Sequence, residues 1–474
     1  MFKNKIHQIL QQKFDQKPTP GQEVLFVLLA QFIAAEENID VLIVKGYAGT
    51  GKTSVIGALV QALDLIRRRY VLLTPTGRAA KVLSSYSKRN ASTIHKKIYR
   101  QRASKDGFGE FVLEKNLHKN TFFIVDEASM IGHQSKDQSI FGSGNLLQDL
   151  VDFVYSGEKC KLIIVGDTAQ LPPVGLDVSP ALDKSFLEGF GLHVREMILT
   201  DVVRQEMASG VLSNATHIRE TISKNQASPP SLKSEGYDDF RRVYGEELID
   251  LITSSYDKDG VEDTIIITRS NKMANRYNAG IRQRILWHEE EITAGDLLMV
   301  VKNNYYWLKE YDENDFIANG DIMRINRIKG YQNIYNHRFA DVSVTFLDHD
   351  DLEIDTKIIL DTLTIEAPSL TYEQNKAFYL AVAEDYQHIK NKRKQLLEIR
   401  ENPYFNALQV KFSYAITCHK AQGGQWKNVF VDHGYLNESM INRDFLRWLY
   451  TAITRTTKNL YAVNFKKDFF EDEK

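Results

Sequence analysis

The amino-acid sequence predicts an α/β fold in which helices connect parallel strands. Short apolar runs recur along the 474 residues, and most are apolar at successive positions, as expected for strands covered on both faces. A glycine-rich segment follows the first run directly and opens a predicted helix at 53–67. These runs are sufficient for one or two α/β cores. The predicted strands are Val41–Val44, Tyr70–Leu73, Phe122–Val125, Leu162–Val165, Thr264–Ile267 and Val429–Val431.

Composition favours a multidomain protein of the cytoplasm. The chain is long enough for about three domains at ~150 residues each, and 43% of its residues are hydrophobic. A net charge of -2 neither supports nor excludes a polyanionic partner. Cys160 and Cys418 are far apart and predict neither a disulfide framework nor a metal site. No apolar run reaches the ~18 to 20 residues of a membrane span, and the N-terminus does not resemble a secretory signal.

The segment from Gly46 to Thr53 fits the pattern of a phosphate-binding P-loop. Its glycines allow backbone N–H groups to surround an anion, and the following helix adds the positive end of its dipole. Lys52 is placed to reach the terminal phosphates, and the Thr53 hydroxyl to ligate Mg²⁺ held by a nucleotide. A chance glycine turn is the alternative, but every fixed position matches. The predicted nucleotide contacts are Gly46, Tyr47, Ala48, Gly49, Thr50, Gly51, Lys52, Thr53 and Ser54.

Polar residues end two other predicted strands. After Phe122–Val125, Asp126 is placed to hold Mg²⁺ and Glu127 to polarise the attacking water. Acidic pairs at strand ends are also common on surfaces, but this strand is apolar throughout. Gln170 follows Leu162–Val165 and is placed to sense the γ-phosphate or the attacking water, a role that a lone glutamine would not support by itself.

Two regions interrupt the α/β pattern. Between 95 and 121 the sequence turns polar, and Asp106-Gly107 between candidate strands predicts a hairpin. The region 324–403 begins with alternating apolar residues, such as Val342 and Val344, which predict a small β-barrel. From Thr371 the pattern predicts one long charged helix, opened by the capping box Thr371-x-x-Gln374.

Together these segments resemble superfamily 1 helicases, specifically the 1B branch of RecD-like and Dda-like enzymes. The resemblance implies two tandem RecA-like P-loop NTPase cores with a small β-hairpin pin insertion and an SH3-like β-barrel insertion. The implied division is 1–95 and 121–205 for the first core, 96–120 for the pin, 206–323 and 404–474 for the second core, and 324–403 for the barrel and its helical extension. The further matching segments are Gln22, Thr74–Lys81, Thr93–His95, Leu199–Gln205, Tyr414–Gly423 and Trp448–Arg455.

The resemblance also implies roles for single residues. Gln22 would read adenine, and Arg204 and Arg455 would stabilise charge on the transferring phosphoryl group from the opposite wall of an ATP cleft. Surface ion pairs are the alternative for both arginines. Phe108 would lie near the tip of a strand-separating pin, unless the hairpin is an ordinary surface feature; the threonines below are alternatively helix caps. The implied DNA contacts are Thr76, Arg78, Thr93, His95, Phe108, Thr417, His419 and Lys420.

The function implied is that of an ATP-dependent DNA helicase that moves 5′ to 3′ along single-stranded DNA. It would use ATP and Mg²⁺ and would bind single-stranded and duplex DNA irrespective of sequence. Two alternatives stay open: a 3′ to 5′ or RNA-directed motor, and a nucleotide-dependent binding switch or remodeller that does not separate strands. The sequence indicates no membrane association and identifies no protein partner.

Overall fold

The computed structural model describes residues 2–34, 40–102, 110–132, 142–203, 209–224, 229–308, 316–347 and 351–471. Within these ranges the chain forms two parallel sheets, a closed five-stranded barrel and a two-stranded antiparallel hairpin. This arrangement confirms the predicted fold class. None of the helices in the described part of the chain has the length and apolar character that crossing a membrane requires.

The first sheet has the order β3-β2-β6-β7-β1-β8, and all of its strands are parallel. Neighbouring residues of β1 enter apolar clusters on opposite faces, Leu42 and Val44 on one side and Val41 and Ile43 on the other. Burial on both faces therefore explains why this strand is apolar at successive positions. The elements up to residue 199 are α1 (Phe2–Lys13), α2 (Pro20–Ala34), β1 (Val41–Gly46), α3 (Lys52–Leu65), β2 (Arg69–Thr74), α4 (Gly77–Ser87), β3 (Ala91–Thr93), α5 (Ile94–Ile98), β4 (Tyr99–Arg102), β5 (Glu110–Leu113), β6 (Thr121–Val125), α6 (Leu146–Ser156), β7 (Lys161–Gly166), α7 (Lys184–Glu188) and β8 (Val194–Leu199).

The second sheet is also parallel, with the order β16-β10-β17-β18-β9. Its apolar residues and those of the barrel form one continuous cluster, which also includes Ala169 and Leu171 from the first core. The two sheets are therefore joined by shared packing. The remaining elements are α8 (Gly210–Ser223), β9 (Phe240–Val243), α9 (Leu248–Asp259), β10 (Thr264–Thr268), α10 (Asn271–Arg284), β11 (Leu297–Val300), β12 (Ile322–Ile334), β13 (His337–Phe346), β14 (Leu352–Ile359), α11 (Tyr372–Glu384), α12 (Lys392–Arg400), β15 (Leu408–Phe412), β16 (Ala415–Thr417), α13 (Cys418–Ala421), β17 (Trp426–Asp432), α14 (Arg443–Ile453) and β18 (Thr456–Val463).

The barrel closes in the order β11-β12-β13-β14-β15. Two of its strands, β11 and β15, lie outside the region 324–403 from which the barrel was predicted. The predicted capping box is present at Thr371 and Gln374. The prediction of one long helix behind it is wrong, because the chain forms α11 and then α12. Asn391 starts the second helix by accepting hydrogen bonds from the backbone N–H groups of Arg393 and Lys394.

Candidate nucleotide and nucleic-acid site

The topology of the first sheet brings three predicted site segments to one edge. The strands β6, β7 and β1 are neighbours and run parallel, so their carboxyl ends meet. The P-loop follows β1, Asp126 and Glu127 follow β6, and Gln170 lies in the loop after β7. Loops at the carboxyl edge of an open parallel sheet are the usual place for a ligand site.

The P-loop is wound around the ammonium group of Lys52. The Nζ atom donates to the carbonyl oxygens of Gly46 and Tyr47, at 2.7 and 2.9 Å. Gly49 and Gly51 adopt positive φ angles of 73° and 74°, which favour glycine. A Cβ atom on Gly46 would lie 2.8 Å from Lys52 Cγ, so a side chain would fill the cradle. The loop therefore has the shape that a phosphate group requires, with its lysine at the centre.

Gln22 packs directly against the P-loop and is 1% exposed. Its Nε2 donates to the Thr50 carbonyl oxygen at 3.0 Å, and its Oε1 accepts from the Thr19 backbone N–H at 2.9 Å. Both ends of the amide are therefore bonded to backbone groups in this state. The amide retains a second N–H and a second lone pair, which are the groups that reading an adenine base, as predicted, would use.

The carboxylates after β6 lie beside the lysine. Burial, and then the neighbouring Glu127 charge, raise the pKa of Asp126 to about 7. The Asp126 Oδ1 atom accepts from the Glu127 backbone N–H at 2.8 Å, and Glu127 itself has a φ of 53°. With the Thr53 hydroxyl on the first turn of α3, Asp126 offers the hard oxygen donors that Mg²⁺ prefers. Gln170 is buried, and its Oε1 accepts from the Ser129 hydroxyl at 3.4 Å.

The second core contributes an arginine to this site. Arg455 follows α14, is only 4% exposed, and its guanidinium NH1 atom lies 3.7 Å from Glu127 Oε1. A surface ion pair is excluded by this burial. Arg204 lies outside the described residues. The preceding Val203 donates its backbone N–H to the Gly49 carbonyl oxygen at 3.0 Å, so the described chain reaches the P-loop just before that arginine.

The three predicted DNA-contacting threonines begin helices at the carboxyl ends of strands. Thr76 caps α4 by accepting from the Ala79 backbone N–H at 3.3 Å, and Thr93 caps α5 by accepting from Lys96 at 3.1 Å. Thr417 precedes α13 without a side-chain cap bond. The capping alternative is therefore correct for Thr76 and Thr93. A capping hydroxyl still has its own hydrogen to donate, so capping does not prevent a phosphate contact.

The two cores touch beside these threonines. A Cβ atom on Gly423, from the second core, would lie 2.8 Å from the Ala79 Cβ and 3.0 Å from the Thr76 hydroxyl oxygen. The Arg78 guanidinium lies 4.1 Å from the ring centre of Trp426, also from the second core. This cation–π contact was not foreseen from the sequence, because Trp426 begins a buried strand and carries no motif.

The remaining predicted DNA contacts differ in charge. Burial lowers the pKa of His95 to about 4 and also lowers that of His419, so both rings are neutral near pH 7. Burial and the neighbouring Lys411 lower the pKa of Lys420 to about 8. The Lys420 ammonium donates to the side chain of Asn319. Of these side chains, Lys420 alone supplies positive charge at pH 7.

The predicted pin is an antiparallel hairpin at its base. The strands β4 and β5 pair with Tyr99 opposite Leu113, while residues 103–109, including Phe108, lie outside the described ranges. On β5, the Phe111 ring lies 4.3 Å from the Tyr305 ring, and Tyr305 lies 5.1 Å from Phe316. These ring contacts join the base of the hairpin to the chain between β11 and β12.

Sequence reasoning missed two residues of this site, Asp167 and Tyr450. The Tyr450 hydroxyl, on α14, donates to Asp167 Oδ2 at 2.7 Å and accepts from the Ala48 backbone N–H at 2.8 Å. Tyr450 lies in the matched segment Trp448–Arg455, and Asp167 lies between the predicted strand Leu162–Val165 and Gln170. No sequence signal marks either role, because Tyr450 is one of several polar residues in α14 and its hydroxyl has no partner until the two cores are brought together.

Comparison with known proteins agrees with this architecture. Residues 30–176 match the AAA domain family, and residues 412–463 match the UvrD-like helicase C-terminal domain family. The ATP-dependent DNA helicase dda of Enterobacteria phage T4 is 24% identical over 469 residues, which cover 94% of this chain and 99% of dda. The RecBCD enzyme subunit RecD of Buchnera aphidicola subsp. Schizaphis graminum is 24% identical over 464 residues, covering 91% of this chain and 71% of RecD.

A solved structure of Pif1 helicases on forked duplex DNA aligns with 96% of this chain and 94% of the Pif1 chain, at 14% identity and a TM-score of 0.48. The two family matches occur in the chain order that the motifs predict, with the P-loop in the first and Arg455 in the second. The relatives extend over almost the whole chain. The domain matches and the relatives bear out the resemblance of this chain to the RecD-like and Dda-like proteins of superfamily 1B.

Proposed function

We propose that this protein is an ATP-dependent DNA helicase that moves 5′ to 3′ on single-stranded DNA and separates duplex strands. One observation carries the proposal: Arg455 of the second core reaches Glu127 of the first, at the same edge of the sheet as the P-loop lysine. A site divided between two cores can close on ATP and reopen after hydrolysis, which changes the relative position of the cores. The relatives named above include an ATP-dependent DNA helicase, which supports the same activity here.

Each polar group at the cleft has a role in this proposal. The P-loop amides and Lys52 bind the phosphates, Glu127 orients and polarises the attacking water, and Gln170 senses the terminal phosphate. Arg455, together with Arg204, stabilises the charge that develops on the transferring phosphoryl group. Thr53 and Asp126 hold Mg²⁺, which when bound neutralises charge on the phosphate oxygens.

The DNA strand follows the carboxyl edges of both sheets in this proposal. Thr76 and Thr93 of the first core and Thr417 of the second donate to backbone phosphates, and Lys420 adds charge. The support for this path is geometric. Gly423 of the second core lies against Thr76 of the first core, so the proposed DNA-contacting groups of the two cores are adjacent. The hairpin separates strands at its tip, and the Phe111 contact with Tyr305 holds its base. We also assign the protein to the cytoplasm, where such DNA is available.

Direction of movement is tested with partial duplexes that carry one single-stranded tail. We expect strand separation of the 5′-tailed duplex in the presence of ATP and Mg²⁺, and little separation of the 3′-tailed or blunt duplex. Fluorescence-quench unwinding assays on equal concentrations of the three substrates provide the measurement. Preferential unwinding of the 3′-tailed duplex would overturn the direction, and ATP hydrolysis with no unwinding of any substrate would overturn the helicase proposal in favour of a binding switch.

Single-stranded DNA should bind more weakly as the pH rises through about 8. Lys420 has a pKa of about 8, so its ammonium is charged at pH 7 and loses its proton above pH 8. Fluorescence anisotropy of a labelled oligo-dT at constant ionic strength, from pH 7 to 9.5, measures the effect. The logarithm of the binding constant falls linearly with the logarithm of the salt concentration. At pH 7, Lys420→Gln should make this slope shallower by about 0.7, the value for one phosphate contact on a single strand.

The variant also serves as the control for this titration. Lys420→Gln should lose most of the pH dependence, with the remainder assigned to Lys411, whose pKa burial also lowers to about 8. A wild-type affinity that stays constant across this pH range would remove Lys420 from the DNA site.

A further inference from the structure

The tip of the P-loop packs against the second core. Tyr47 and Ala48 pack against the apolar cluster of the second core, and the Arg219 guanidinium on α8 lies 4.4 Å from the Tyr47 ring centre. Tyr450 on α14 completes this contact from a position that is 1% exposed. The tip of the loop is therefore part of the boundary between the cores.

We propose that Tyr450 is a positioning residue that couples the P-loop to the second core, so that turnover stimulated by DNA depends on its hydroxyl group. This inference rests on the proposed function, since it concerns the same ATP site. The hydroxyl joins two groups of the first core, Ala48 N at 2.8 Å and Asp167 Oδ2 at 2.7 Å. It is the donor to the carboxylate and the acceptor from the amide, so both of its hydrogen-bonding functions are used across the boundary.

Asp167 connects this contact to the catalytic lysine. Its Oδ2 atom, which accepts from Tyr450, lies 3.9 Å from Lys52 Nζ, and its Oδ1 accepts from the Ala169 backbone N–H at 2.9 Å. Asp167 is 1% exposed, so its orientation is set by these few partners. Without the tyrosine hydroxyl the carboxylate loses one partner, and Lys52 becomes its main counter-charge. The hydroxyl therefore helps to keep Lys52 available for the charge that develops on the phosphoryl group during its transfer.

The loop that carries Asp167 is attached to the second core at further points. The Leu171 backbone N–H donates to the Thr451 hydroxyl at 2.8 Å, and Gln422 Nε2 donates to the Leu171 carbonyl oxygen at 2.8 Å. Farther along, Arg447 donates to the Asp177 carbonyl oxygen. Because Arg455 follows the same helix, a movement of the P-loop tip is passed through Tyr450 to the segment that places the arginine.

The test is Tyr450→Phe, which keeps the buried ring and removes both hydrogen bonds. We expect kcat for ATP hydrolysis with saturating single-stranded DNA to fall about 10-fold to 100-fold, the scale of one hydrogen bond to a charged group. The KM for ATP should change by less than about threefold, because the interaction is needed in turnover and not in ground-state binding. Adding Asp167→Asn to Tyr450→Phe should lower kcat by less than a further factor of about two, because the effects of substituting residues that act as a unit are not additive.

Tyr256→Phe is the matched control. Tyr256 is another buried tyrosine of the second core, and its hydroxyl has no hydrogen-bond partner within the described chain. This control should keep kcat and KM within about twofold of wild type. The inference is overturned if Tyr450→Phe turns over like wild type, if both variants lose the same activity, or if KM rises while kcat is unchanged.

Failure of the inference can be distinguished from failure of the proposed function. The ATPase comparison uses DNA-stimulated hydrolysis alone, so a wild-type protein that hydrolyses ATP without unwinding would refute the helicase and leave this test intact. A fluorescent ATP analogue provides an independent readout, since Tyr450→Phe should bind it with wild-type affinity and melt near the wild-type temperature. Parallel loss of analogue binding and thermal stability would assign Tyr450 to folding and overturn the coupling role.

Discussion

Lys52→Ala should lower the rate of ATP hydrolysis in the presence of single-stranded DNA by about 10²-fold to 10³-fold, the scale of removing one preorganised donor from a transition state. The ammonium group lies inside the P-loop, bonded to the Gly46 and Tyr47 carbonyl oxygens, and is the cation at the centre of the cradle. A lysine in this position acts as a point charge on the terminal phosphates, and alanine supplies nothing in its place. Steady-state phosphate release measures the loss.

Lys45→Ala is the control for this prediction. Lys45 lies on the same strand–loop unit but pairs with Glu196, with 2.7 Å between Nζ and Oε2, away from the P-loop. Partly exposed ion pairs of this kind contribute about 0–1 kcal/mol to folding stability, so Lys45→Ala should fold normally and hydrolyse ATP at a rate close to wild type. Both variants should bind single-stranded DNA normally. DNA-stimulated hydrolysis by Lys52→Ala at the wild-type rate would show that the P-loop of this chain is not its hydrolytic site.

The sequence was sufficient to predict the first half of the site because its residues are local to strand ends. The runs before Gly46, Asp126 and Gln170 are apolar at successive positions, which identifies buried parallel strands and places their following loops at one edge. The glycines at 49 and 51 have the positive φ values that the P-loop pattern requires. In these places local sequence and tertiary position agree.

The contacts between the cores could not be predicted in the same way. The partners of Tyr450 are 402 and 283 residues distant in sequence, and no periodicity encodes such a pairing. The stacking of Arg78 on Trp426 depends on the same docking of the cores. The break between α11 and α12 was missed because charged residues continue through it and Asn391, its cap, resembles any polar helix residue.

The barrel shows a different limit of the sequence signal. Its strand β11, Leu297–Val300, is buried at every position and has no alternation, so it resembles a core strand. Only its pairing with β12 and β15 assigns it to the barrel. Alternation identified the middle strands, where one face meets solvent, and could not identify a strand that is covered on both sides.

Arg455→Ala should lower kcat for ATP hydrolysis by about 10³-fold to 10⁵-fold, the range for an arginine that stabilises a transferring phosphoryl group. Its guanidinium is 4% exposed, lies 3.7 Å from Glu127, and is oriented by donation from Nε to the Thr451 carbonyl oxygen at 3.1 Å. Arg455→Lys should not restore the rate. A guanidinium can donate from Nε to Thr451 while its two terminal nitrogens point into the cleft, and the single ammonium of lysine cannot do both. Single-turnover hydrolysis and binding of a fluorescent ATP analogue separate chemistry from affinity.

The location of Arg455 decides which kinetic constant changes. The P-loop amides and Lys52 belong to the first core, so ATP should still bind when the second core loses its arginine. A lower kcat with unchanged affinity is therefore expected, whereas weaker binding with an unchanged kcat would make Arg455 a ground-state contact. Arg443→Ala, at the exposed start of the same helix, should leave both constants near wild type. If Arg455→Ala keeps kcat within about tenfold of wild type, hydrolysis does not need the second core, and the proposed coupling of ATP to movement loses its basis.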